Sequence, residues 1–130
     1  MENLLRLNGI IVEDNHYIKS AIEKILKDSE EIEINIINIF SDINSSQFFI
    51  QIKKANFLLI NINLPNLTED FLISAKKINK DIKIILYSFE DYFNKNISKN
   101  ADKIIQQDLI YETLIPTIKK LFQYNNRGKK

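Results

Sequence analysis

Two neighbouring carboxylates, Glu13 and Asp14, follow the short apolar run Asn8-Gly9-Ile10-Ile11-Val12. Adjacent acids at the end of a buried strand can hold a hard divalent cation, or they can simply end the strand and introduce a helix. Asn61 closes a second apolar run, Phe57-Leu58-Leu59-Ile60, and Ser88 closes a third that begins at Ile82. The Asn61 amide offers hydrogen bonds but no nucleophile. The Ser88 hydroxyl can hold an anion or cap a helix over Phe89-Glu90-Asp91. His16, the single histidine, follows the acidic pair and is expected to be exposed at a helix start. No cysteine is present, which excludes thiol catalysis, thiolate metal sites and disulfides and fits a cytoplasmic chain. With two glycines in all, the chain has neither of the glycine-rich phosphate loops of nucleotide-binding α/β folds. No nucleophile–base pair stands out, so an ordinary enzyme is the least favoured class.

These polar groups need a scaffold, and the pattern around them supplies one. Apolar runs at Asn8–Val12, Ile32–Phe40, Phe57–Ile60, Ile82–Tyr87 and Lys103–Ile105 read as strands. The run at Phe57–Ile60 has no polar face, as expected of a central parallel strand covered on both sides. Helix-period segments separate the strands: Asn15 caps one to about Asp28, a short one spans Asp42 to Lys53, and Thr68 caps a third bearing Phe71, Leu72, Ala75 and Ile78. A weakly patterned fourth spans Asp91 to Lys99, and a last one runs from about Ile110 to Tyr124. Pro116 is harmless there if the helix starts near Glu112, and it disrupts the helix if the start is earlier. Five strands alternating with five helices imply a doubly wound parallel sheet, with its site beyond the carboxyl ends of the strands. That places Glu13, Asp14, Asn61, Ser88 and Gln107 at one end of the molecule.

Composition bounds the partners. Eighteen basic and 17 acidic residues leave a net charge of +1, which is no nucleic-acid footprint. No apolar run has the length of a membrane span. Residues 1–126 form one domain, followed by Arg127-Gly128-Lys129-Lys130 as a basic, disordered tail.

In this order the segments resemble the receiver domain of response regulators, over about residues 8 to 124. Ile11-Val12-Glu13-Asp14-Asn15 resembles the first-strand ending, whose acidic pair holds Mg²⁺ in the family. Leu59-Ile60-Asn61-Ile62-Asn63-Leu64-Pro65 resembles the segment that carries the phosphoacceptor aspartate. Lys83-Ile84-Ile85-Leu86-Tyr87-Ser88 resembles the strand ending in the switch hydroxyl. Asn100 to Asp108 resembles the segment with the switch aromatic and the lysine.

The resemblance implies a flavodoxin-like (βα)5 fold with strand order 2-1-3-4-5. It also marks three departures: Asn61 at the phosphoacceptor, Gln107 at the lysine and Ile104 at the switch aromatic. Ser88 keeps the switch hydroxyl, while Glu13 and Asp14 keep a vestigial acidic pair that would bind Mg²⁺ weakly if at all. No other cofactor is expected. The implied function is an atypical receiver in signal transduction or transcriptional regulation, not phosphorylatable by the aspartyl route and acting through protein–protein contact. Tyr92, Phe93 and Ile97 are its expected contact residues, on a face made by the fourth helix, fifth strand and fifth helix that could also form a homodimer. Two alternatives stand beside it: the input half of a longer DNA-binding regulator, or a switch driven by a ligand other than phosphate. Direct nucleic-acid or membrane binding by these residues is not expected.

Overall fold

The computed structural model describes residues 5–88, 97, 99–106 and 109–128, the last six through their backbone alone. In chain order the elements are β1 (Leu5–Val12), α1 (His16–Lys27), β2 (Ile32–Phe40), α2 (Phe48–Gln51) with a 3₁₀ turn (Ile52–Lys54), and β3 (Phe57–Asn61). There follow α3 (Glu69–Ile78), β4 (Lys83–Ser88), β5 (Lys103–Gln106) and α4 (Ile110–Gly128). The five strands form one parallel sheet in the order β2-β1-β3-β4-β5, as expected.

Strand alternation divides the core into two layers. Ile10, Val12, Leu58, Ile60, Ile84 and Leu86 meet α2 and α3 on one face. Leu7, Ile11, Phe57, Leu59, Ile85 and Tyr87 meet α1 and α4 on the other. Most of these side chains are fully buried, and burying each apolar one stabilises the fold by about 1.5–3 kcal/mol. Phe57 packs so closely over Gly9 that a Cβ there would lie 2.3 Å from the ring. Phe48 anchors the α2 side, with Phe40, Phe49 and Phe71 around it at centroid distances of 4.9 to 5.5 Å.

β2 pairs with β1 along its full length, with one irregularity between Gly9 and Ile10. Gly9 stands opposite Ile36 and Ile10 opposite Asn38, so Ile37 is an extra residue, a β-bulge. The bulge lets Ile32, Ile34, Ile36 and Ile39 all lean on the α1/α4 layer, although Ile39 breaks the even spacing.

Three local features differ from the sequence reading. β1 begins at Leu5, because Arg6 and Asn8 alternate with Leu5 and Leu7 and Arg6 pairs with Glu33 on β2. The expected helix from Asp42 shrinks to α2: Asn44 N–H donates to Asp42 Oδ1 (2.8 Å) and Gln47 N–H to Ser45 Oγ (3.2 Å), turns that compete with helix formation. Ile78, expected in the apolar stripe of α3, is exposed. α4 starts at Ile110, as expected, so Pro116 lies inside it and leaves the Glu112 carbonyl without its usual helical donor.

Helix α4 also extends to Gly128, past the expected start of the basic tail, while Lys129 and Lys130 lie outside the described residues. So does the expected helix from Asp91 to Lys99, apart from Ile97 and Lys99. The caps on Asn15 and Thr68 are present: Asn15 Oδ1 accepts from Tyr17 and Ile18 N–H, and Thr68 Oγ1 from Phe71 N–H. Among the described residues, no helix is long and apolar enough to cross a membrane.

Candidate functional site

Register brings three polar side chains abreast. Val12 lies beside Ile60, Ile60 beside Leu86, and Asn61 beside Tyr87. The next residue of β1's chain, Glu13, therefore sits level with Asn61 and Tyr87 at the carboxyl end of three adjacent strands. By alternation all three side chains fall on the α1/α4 side. Glu13 and Tyr87 are completely buried and Asn61 nearly so.

Burial obliges these groups to satisfy one another. Asn61 Nδ2 donates to Glu13 Oε1 at 3.1 Å, and the Tyr87 hydroxyl donates to the same oxygen. Glu13 Oε2 accepts the Asn15 N–H at 2.9 Å, which ties the carboxylate to the start of α1. Asn61 Oδ1 accepts the Asn63 N–H at 2.8 Å and shapes the loop after β3. The backbone adds Glu13 N–H to Phe40 C=O and Ile62 N–H to Tyr87 C=O, both 2.9 Å. No described buried side-chain polar atom lacks a partner.

Burial raises the Tyr87 phenol well above the usual tyrosine range, helped by the hydrogen bond to Glu13 and by the charges of Glu13 and Asp14. The phenol therefore stays a neutral donor. A divalent cation would need several oxygen lone pairs converging on one point. Here both Glu13 oxygens are engaged by protein donors, Asp14 is exposed, and the Asn61 group nearest Glu13 is an N–H donor. Among the described residues, no cluster of three or more His, Cys, Asp or Glu side chains could hold a metal. The donor set does not fit a resident Mg²⁺.

No family model matches the chain, and no curated protein matches it in sequence. Solved structures do. A receiver domain protein (CheY-like) from Methanospirillum hungatei JF-1 superposes with a TM-score of 0.70 at 24% identity, covering 97% of this chain and 100% of its own. A DNA-binding response regulator of the LuxR family from Staphylococcus aureus gives 0.73 at 21% identity, covering 88% and 98%. A LuxR-family two-component response regulator from Aurantimonas gives 0.74 at 8%, covering 89% and 84%. At such identities the likeness shows the fold. The chain has the receiver fold.

Within the receiver fold the expected site residues scatter more than the sequence suggests. Glu13 turns inward into the network, whereas Asp14 faces solvent, so the acidic pair does not act as a pair. Asn61 lies at the carboxyl end of β3, and Ser88 lies buried at the end of β4, with a hydrogen-bonded or other polar partner. Ile104 is half-buried on β5 and packs against the α2/α3 layer. Gln107, Tyr92 and Phe93 fall outside the described residues. Ile97, expected on a contact surface, is instead buried in the α2/α3 layer. An isoleucine beside that layer is held by the apolar side chains there and gives no exposed face. His16 is exposed beside Tyr17, as expected.

Sequence reading missed Tyr87 as a site residue. Its signal was available: in a strand of isoleucine and leucine, a phenol stands one residue before the carboxyl end, at the level of Asn61.

Proposed function

We propose that this chain is an atypical receiver domain that takes no phosphoryl group on aspartate and works through protein–protein contact in signal transduction. The observation that carries the reading is the Asn61 amide, hydrogen-bonded to buried Glu13 where the resemblance puts the nucleophile. A neutral amide forms no acyl phosphate. The engaged oxygens of Glu13 also leave no acidic pair to gather Mg²⁺ and phosphate, which supports a protein without cofactor and without enzymatic activity. Gln107 in place of the lysine and Ile104 in place of the switch aromatic point the same way. On this reading the protein is cytoplasmic, and its partner is another protein or a second copy of itself.

Incubation with acetyl phosphate and Mg²⁺, followed by intact-mass spectrometry, tests the reading. No acid-labile adduct is expected, and a stoichiometric one would refute it. A second reading makes the domain the receiver half of a longer transcriptional regulator. It draws support from the Staphylococcus aureus neighbour, described as DNA-binding. A reading frame that encodes a DNA-binding segment beyond Lys130 would favour it.

A further inference from the structure

The net charge of +1 conceals a division of charge between the two ends of the sheet. All five strands are parallel, so every segment entering a strand lies at the amino end and every segment leaving one at the carboxyl end. The segments that enter β3, β4 and β5 carry Lys53, Lys54, Lys77, Lys80, Lys99 and Lys103, all exposed. The acids there are Asp81 and Asp102, and Asp102 is already held by Lys76 at 2.7 Å. Among the described residues none of the six lysines has a carboxylate partner. Backbone bonds join the segments into one surface: Asn79 Nδ2 donates to the Ile52 and Ala55 carbonyls, Lys83 N–H to the Asn56 carbonyl at 3.0 Å, and Asp102 N–H to the Ile84 carbonyl at 2.8 Å. Around α1 and β2, by contrast, cations are matched: Arg6 with Glu33, Lys24 with Asp28, Lys27 with Glu23, Lys119 with Glu31.

The carboxyl end has the opposite sign. Asp14, Asp42, Glu69, Asp70 and Glu112 are exposed there, and the described lysine among them is Lys19, hydrogen-bonded to Ser41. Outside the described residues, Glu90, Asp91 and Asp108 against Lys95 follow β4 and β5 in the chain, while Glu2 stands against Lys129 and Lys130 at the termini. Helix dipoles favour lysines at helix ends and acids at helix starts, which accounts for Lys53, Lys54, Lys77, Glu69, Asp70 and Glu112. Lys80, Lys99, Lys103, Asp14 and Asp42 stand outside any helix, so the division exceeds that effect.

We infer that the lysine face at the amino end of β3, β4 and β5 docks on the acidic carboxyl end of a second copy, so that copies associate head to tail. This rests on the proposed reading of the chain as a protein-contact module and names the partner. One molecule presents both halves of the contact on opposite ends, so each docked copy leaves one face of each kind free. Such a heterologous contact builds open chains, not a closed pair. With a net charge near zero the copies do not repel one another as wholes, while the separated charge aligns them. A nucleic acid fits less well, because the six lysines stand without an arginine for bidentate phosphate contacts or an exposed aromatic for base stacking among the described residues of that face.

Sedimentation velocity of the full chain tests this. At low ionic strength the mean mass should keep rising with protein concentration past that of a dimer, and high salt should weaken association about tenfold. Carbodiimide cross-linking of mixed isotope-labelled and unlabelled protein should join a lysine of this face in one copy to Asp14, Asp42, Glu69 or Asp70 of another. Lys53→Glu/Lys54→Glu/Lys77→Glu/Lys80→Glu and, separately, Asp14→Lys/Asp42→Lys/Glu69→Lys/Asp70→Lys should each be monomeric, with circular dichroism showing both folded. Mixed in equal amounts they should associate again, because the unaltered acidic end of the first meets the unaltered lysines of the second. If either variant unfolds, the cross-links of the parent decide. A parent that is monomeric at low salt, a mass that stops at the dimer, association indifferent to salt, or a mixture that stays monomeric would overturn the inference. So would cross-links confined to other residues, or capture of oligo(dT) by the lysine face without self-association. A phosphoryl adduct would refute the proposed function alone, so the two failures are distinguishable.

Discussion

The two ends of the sheet are closed by different chemistry. At the carboxyl end, side chains satisfy one another: Tyr87 and Asn61 converge on Glu13, inside the core. At the amino end, side chains hold backbone. Asn56 Oδ1 accepts the Asn8 N–H at 2.7 Å, and Asn79 Nδ2 donates to the carbonyls of Ile52 and Ala55 at 2.9 and 2.8 Å. Lys76 Nζ reaches both the Ile82 carbonyl and Asp102 Oδ2 at 2.7 Å, and the same Asp102 oxygen accepts the Ile84 N–H at 2.7 Å. Bonds to the backbone fix where strands begin and can be lost one at a time. The carboxyl-end cluster shares one acceptor residue, so its losses should compound.

The sharpest way to break that contrast is Glu13→Ala. It strips the acceptor from Tyr87, Asn61 and Asn15 together, and urea unfolding should show a loss of about 4 kcal/mol. Asn61→Asp should follow at about 2–3 kcal/mol near pH 7, because it sets a second carboxylate about 3 Å from Glu13. The folded variant then holds a proton that the unfolded chain releases at ordinary carboxyl pH. Its deficit should therefore shrink as pH falls from 7 towards 4, and a flat pH profile would show that the new carboxylate is solvated.

Asn79→Ala, at the amino end, removes a donor from two carbonyls, of which that of Ile52 keeps the Ala55 N–H, and should cost about 2 kcal/mol by the same assay. It should be additive with Asn56→Ala to a degree that Glu13→Ala and Tyr87→Phe are not. Tyr87→Phe alone should cost about 1 kcal/mol, since Glu13 keeps its other donors. Tyr87 also gives the parent an alkaline limb. Its folded-state pKa is raised, so the stability it confers is full below the ordinary tyrosine pKa of about 10 and drains away above it. Phenolate absorbance should gain a component only as the parent unfolds, and Tyr87→Phe should lack it. Lys76→Met, at a partly exposed pair, should have the smallest effect, about 1 kcal/mol or less.

Much of the scaffold could be read from residue order. Isoleucine- and leucine-rich runs marked every strand, most plainly β3, which is buried on both faces and carries no polar side chain before Asn61; Asn15 and Thr68 marked helix starts, because a capping oxygen has few other roles there. The α2 region misled, since Ile43, Phe48, Phe49 and Ile52 have helical spacing while Asp42 and Ser45 bind nearby backbone instead. Within the site, adjacency was taken for partnership. In extended chain Glu13 and Asp14 point oppositely, so one had to leave the pocket that the other entered. Asn61 could be singled out, but its link to Tyr87 depends on strand register, which is invisible until β3 and β4 are aligned.

The extra residue at Ile37 has a consequence for solubility. β2 is an outermost strand, nine residues long and rich in isoleucine, with no proline to discourage a stranger from pairing with it. A bulge bends and overtwists the strand that carries it, so a flat incoming strand would keep register along only part of its length. Deleting Ile37 would straighten that rim and make it a better template for aggregation.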